Sequence, residues 1–175
     1  MTTTLSVQQR AATIATFRFI EVKLMELVAA WTPPTPEMEV KVMFGRHIWD
    51  FAQHADILGK RTFELRLPEQ HSRRPAEPYV ELLQAAVSVK STSERLATLY
   101  DAILPGLELR YRSYLTQTDP VLDEPSIVLI DRILRDLERQ RGEATTVRAS
   151  LGLPAFDAKT LMASERAIDT VVSAT

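Results

Sequence analysis

The sequence predicts an all-α protein, a four-helix bundle in which a long crossover joins helices 2 and 3 and a C-terminal extra helix follows the fourth. Three observations predict the helical class. Apolar residues recur at three- and four-residue intervals over long stretches rich in Leu, Ala, Glu and Arg, which are good helix formers. Only 5 of the 175 residues are glycine. The 10 prolines fall mostly between the periodic stretches, where they separate helices instead of breaking them. With 45% hydrophobic residues the chain can close one core, so residues 1–175 read as a single domain, with a bundle over about 7–141 and an extension over 142–175.

The first helix is expected over about Val7 to Trp31, where Ile14, Phe17, Leu24 and Val28 share one face. The prolines at 33, 34 and 36 end it. Thr35 is a natural N-cap and Pro36 a natural first-turn residue for a second helix running to about Leu67. Its inward line is Val40, Phe44, His47, Phe51, His54 and Leu58, which puts two histidines in register with the core. Residues 68–78 are polar and bounded by prolines, and Tyr79–Val89 offers a short amphipathic helix. Ser91 and Glu94 form a capping-box pattern that opens a third long helix, to about Thr118. It carries Leu96, Tyr100, Ile103, Leu107, Tyr111 and Tyr114 on one face, and Pro105 predicts a kink. Asp123 and Pro125 start the fourth helix, lined by Ile127, Ile130, Leu134 and Leu137. From Gly142 the chain is expected to leave the bundle, passing Gly152 and Pro154 before a short helix over Ala158 to Val172.

Charge is nearly balanced, 21 basic against 23 acidic residues, which gives no support to nucleic-acid binding. The absence of cysteine excludes disulfide frameworks, thiolate zinc sites and cysteine nucleophiles. The opening MTTTLSVQQRAATIATFRF has no signal-peptide pattern, and no window approaches the ~18 uninterrupted apolar residues of a membrane span. A cytoplasmic protein is the expectation.

The second helix carries IWDFAQHADILGKRTFEL and the fourth EPSIVLIDRILRDLERQ. Both resemble in cadence the metal-bearing helices of ferritin-like proteins. In that family a Glu-x-x-His pair on each of two helices, with one Glu from each of the other two, builds a di-metal site in the bundle core. The resemblance covers roughly Phe17 to Arg141 and is one of pattern. Glu21 stands in the inward line of the first helix, and His54 matches the motif histidine with Phe51 three residues before it. Leu137 and Gln140 stand where Glu and His are expected, and Glu108 is the carboxylate offered by the third helix. The resemblance therefore implies the fold without a conventional di-iron site, and no metal or cofactor is assigned.

Glu21, Asp50 and His54 are the candidate catalytic residues. A carboxylate on an apolar stripe has to be paired, protonated or metal-bound, and Asp50 four residues before His54 is placed to orient its imidazole, to ligate one ion with it or simply to form a helix-surface hydrogen bond. The alternative puts Glu21 at the edge of the stripe, salt-bridged to Arg18. His47 lies seven residues from His54, about 10 Å along the axis, too far to share one ion. His47, Trp49, Tyr100, Glu108 and Tyr111 are candidate ligand-binding residues, because buried Tyr and Trp need partners for their polar tips; ordinary core packing is the alternative. Arg132, Arg135, Arg139 and Arg141, interleaved with Asp131, Asp136, Glu138 and Glu143, read as a solvated face.

Three functions follow from these readings. The first is binding of a small organic molecule in the core, with metal-independent acid–base chemistry as its extension. The second is a metal-dependent oxygenase or oxidase in which Glu21, His54, Asp50 and Glu108 hold one ion. The third is a non-catalytic homodimeric interaction protein whose tail residues Leu161, Met162, Ile168, Val171 and Val172 dock on the bundle or on a second chain.

Overall fold

In the computed structural model, which describes residues 4–168 and 170–172, the long apolar-periodic stretches are helices. Helix α1 spans Val7–Trp31 and opens with the full capping box of Ser6 and Gln9. Helix α2 spans Met38–Glu64. It starts later and ends earlier than the sequence predicts, and Thr35 is not its cap. Thr35 is buried in the connecting loop, where its hydroxyl donates to the carbonyl of Trp31 at 2.7 Å and accepts from Arg95 at 2.9 Å. One local bond and one long-range bond hold Thr35 in the loop, and the N-cap position passes to Glu37.

The third long helix is continuous but not uniform. It is built from α4 (Thr92–Leu96), a π-helical segment (Ala97–Ile103) and α5 (Leu104–Gln117). The amide of Leu104 bonds to the carbonyl of Leu99, one residue further back than in an α-helix. Pro105 has no N–H to give to the preceding turn, and the chain accommodates it by widening that turn. Helix α6 spans Glu124–Leu151, ten residues beyond the expected exit near Arg141. It passes through Gly142 and stops at Gly152, whose φ of 58° supplies the left-handed cap. Short helices α3 (Glu77–Val87) and α7 (Lys159–Arg166) complete the chain.

Side-chain pairs fix how the long helices run. Trp31 lies against Phe44 and Glu21 against His54, so α1 and α2 are antiparallel. His47 meets Glu143, His54 meets Asp136 and Arg61 meets Ser126, so α2 and α6 are antiparallel. Asp101 meets Arg148 and Glu108 meets Arg141, which sets α6 against the third long helix. Phe17 packs on Tyr111 and Tyr114, and Leu5 bonds to Gln117, which closes the ring back to α1. Four long helical stretches thus enclose one core that includes Ile14, Leu24, Phe44, Phe51, Leu58, Leu99, Leu107, Ile133 and Leu137.

The crossover between α2 and α4 lies on the outside of the α1–α2 pair. Gln70 reaches back to the carbonyl of Gly59 at 3.0 Å, Arg73 to that of Ala15 at 3.0 Å, and Arg18 holds Gln70 and Ser72. A Cβ on Gly59 would meet the ends of the Gln70 and Arg18 side chains, so a larger residue there would displace the Arg18–Gln70 bond. Helix α3 packs on α1, and α7 packs on the π segment and α5. No helix among the described residues is long and apolar enough to cross a membrane.

Candidate functional site: a polar layer through the core

Glu21 faces inward from α1 and is fully buried. One carboxylate oxygen accepts from the Tyr111 hydroxyl at 2.6 Å, and the other accepts from His54 Nδ1 at 3.1 Å. The opposite ring nitrogen of His54 reaches Asp136 on α6 at 3.2 Å. A carboxylate can only accept, so an imidazole between two of them donates from both nitrogens and is cationic. Burial works against that charge. The negative charge of Glu21 and the bonds to Asp136 and Glu21 outweigh it and hold the His54 pKa up at about 9. The bond from His54 in turn holds Asp136 down at about 2.

A second unit stands one heptad away. His47, seven residues before His54, is completely buried and pairs through Nε2 with Glu143, seven residues after Asp136, at 3.1 Å. Its Nδ1 lies 2.6 Å from the hydroxyl of Tyr100 in the π segment. Burial dominates here and lowers the His47 pKa, against the pull of Glu143. The ring is neutral: Nε2–H donates to the carboxylate, and Nδ1 accepts from Tyr100. Burial first of all pushes the phenols of both Tyr100 and Tyr111 well above their ordinary pKa, so both remain hydrogen-bond donors.

Arg139 on α6 joins the two units. It donates to Asp136 at 3.2 Å, to Glu143 at 3.0 Å and across to Asp50 on α2 at 2.8 Å. Gln140 also donates to Asp50, at 3.0 Å, while its own carbonyl oxygen is buried without a partner. The hydrogen bonds therefore run from Tyr111 through Glu21, His54, Asp136, Arg139 and Glu143 to His47 and Tyr100. They touch all four long helices and reach solvent only at the α2–α6 seam.

Several sequence expectations are corrected by this geometry. Asp50 does not orient His54; it faces the other way, to Arg139 and Gln140. Glu21 is not bound to Arg18, whose partners lie on the crossover. Trp49 is no core aromatic, being 65% exposed on the outer face of α2. Glu108 sits at the rim between α5 and α6, held by Arg112 at 2.8 Å and Arg141 at 3.1 Å. The face of α6 read as solvated supplies Asp136, Arg139 and Glu143, the residues sequence reasoning missed. One signal points to them: Asp136 and Glu143 repeat the seven-residue spacing of His54 and His47, so two antiparallel helices can match both pairs at once.

The residues present do not fit a metal centre. Glu21 and Asp136 approach His54 from opposite ring nitrogens, so the three do not converge on one point. Phe51, Leu137 and Gln140 stand where the resemblance implies further ligands. Among the described residues no group of three or more His, Asp or Glu side chains is placed to hold a metal ion. Four clefts in the surface of the described residues are lined by other side chains, without Glu21, Asp50 or His54. The chain matches no family model, no curated protein and no solved structure.

Proposed function

We propose that this chain is a ferritin-like helical domain in which hydrogen-bonded side chains stand in place of a metal centre, and that its role is to bind another macromolecule, not to turn over a substrate. The ferritin-like reading is supported by the helix directions: each long helix runs antiparallel to both its neighbours, and the crossover joins two that lie diagonally across the core. The binding role rests on the closure of the polar layer. Glu21, His54 and Tyr111 bond to one another, His47 bonds to Tyr100, and the remaining histidine nitrogens are taken by Asp136 and Glu143; a catalytic layer has to leave a reacting atom somewhere to sit. A buried hydrogen-bonded network instead fixes how helices register with one another. The test is Glu21→Gln. Under this reading it destabilises the fold, measured by urea denaturation. A variant as stable as the parent would overturn the structural assignment and return Glu21 to the candidate catalytic residues.

One observation favours a second reading, acid–base binding of a small polar molecule at the α2–α6 seam. The carbonyl oxygen of Gln140 is buried and unpartnered beside Asp50, and Asp136 links the His54 imidazolium to solvent. A screen of small amines and carboxylic acids by thermal shift examines it. A compound that raises Tm in the parent but not in Asp136→Asn would establish the seam as a binding site, and none doing so would remove it.

A further inference from the structure

The outer face of α2 repeats the three-four spacing of its inner face. Met38, Val42, Gly45, Trp49 and Ala52 follow one another at intervals of four, three, four and three residues. That is the pattern of a helix with a second seam, pointing away from its own core. Met38 is 65%, Val42 54% and Trp49 65% exposed. Gly45 is exposed, and a Cβ built on it would meet nothing within 4 Å. Met38, Val42 and Trp49 take no part in the core.

We infer that this face is a dimerisation seam on which a second copy of the chain packs antiparallel, α2 on α2, about a two-fold axis between Val42 and Gly45. The choice of a second copy follows from self-complementarity. In that register Met38 lies against the partner's Trp49, a sulfur–aromatic contact, and Val42 enters the space left open at the partner's Gly45. Both contacts repeat across the axis, as an isologous interface requires. Charge agrees with shape. Glu39 and Arg46 lie seven residues apart on one flank of the seam, so each comes within about one turn of helix of the other's counterpart on the partner. Glu39 has no ion-pair partner among the described residues. Arg46 is 54% exposed while bonded to Glu143 and retains further N–H donors. Two Glu39–Arg46 pairs then line one flank of an apolar seam, a polar rim beside an apolar centre as found at protein interfaces. The interface is small, and the expected dimer is one of micromolar affinity.

The inference rests on reading the chain as a binding domain but is tested apart from it, by association and not by the stability of the Glu21 layer. Sedimentation equilibrium of the full chain, from low micromolar to near-millimolar concentration, should show a reversible monomer–dimer equilibrium. Trp49→Glu should leave the circular dichroism melting curve nearly unchanged and abolish the dimer. Glu39→Arg and Arg46→Glu should each weaken association at least about tenfold, and an equimolar mixture of the two should associate again as a heterodimer, because each then offers what the other lacks. A parent chain monomeric throughout would overturn the inference. So would a dimer that survives Trp49→Glu, which would place the contact elsewhere, and so would a failure of the two charge variants to rescue each other.

Discussion

Glu21 is the sole buried counter-charge on one side of His54, and this decides what its replacement does. In Glu21→Gln the Tyr111 bond can persist, but the imidazolium loses its anion. The expected cost is about 1–3 kcal/mol, read from the urea midpoint. Glu21→Leu removes both acceptors and should cost about 3–5 kcal/mol. The histidines make opposite contributions to stability against pH. The folded pKa of His54 is raised from 6.5 to about 9, so the folded chain binds more protons than the unfolded one between those values. Its stabilisation is complete below pH 6.5 and is lost as pH rises towards 9. His47 is lowered from 6.5, and the unfolded chain binds the extra proton, so its effect is to erode stability as pH falls below that value. The two together predict a stability maximum near the ordinary histidine pKa, falling away on both sides. His54→Gln should flatten the alkaline limb and leave the acidic limb. A carbon-bound proton resonance of His54 that titrates near pH 6.5 by NMR would contradict the assignment.

The elements show where sequence reasoning succeeds and what limits it. Helix α1 is read to the residue because its stop is a run of prolines, and a missing N–H acts locally. The end of α6 is misplaced because Gly142 reads as a terminus by the same local logic, whereas Ala144 in the core and Arg148 on Asp101 carry the helix past it. The real terminator, Gly152, is marked by a positive φ that sequence alone does not show. The two glycines therefore respond in opposite directions to alanine. Gly142 lies in a helix interior with open space around it, so Gly142→Ala should stabilise by about 0.5–1 kcal/mol. Gly152→Ala should destabilise by about 1 kcal/mol, since its φ of 58° disfavours a Cβ. Thermal melts of the two variants check both signs. At Gly106 an added Cβ would strike the buried Glu165 carboxylate of α7, which Arg110 holds at 2.8 Å. Gly106→Ala should release α7 without unfolding the long helices, seen as faster amide exchange confined to residues 159–166.

At the scale of the whole molecule, the helical class, the number of long helices and the two inward histidines are legible because each depends on periodicity within one segment. The partners of those histidines are not. Asp136 and Glu143 look like any charged residues on an exposed helix until another helix is laid against them, and Asp50 looks like a neighbour of His54 until the seam turns it towards Arg139. Trp49 was misplaced for the converse reason: its size suggests a core, and only its angle around α2 sends it outward. The chain is also two hairpins, α1–α2 and the third long helix with α6, joined by the crossover. Apart from the contact of Glu21 with His54, the principal bonds of α1 and α2 to the polar layer cross from one hairpin to the other: Tyr111 to Glu21, His54 to Asp136, His47 to Glu143 and Tyr100. Each hairpin closes over a short loop, whereas Glu21 and Tyr111 are separated by 90 residues of chain. Loop-closure entropy favours the local contacts first. The polar layer accordingly assembles last in folding and is the first part of the core to part in unfolding. Tyr111→Phe should therefore leave the refolding rate almost untouched in stopped-flow experiments and place nearly all of its destabilisation in a faster unfolding rate, making the layer the latch that sets how long the folded chain lasts.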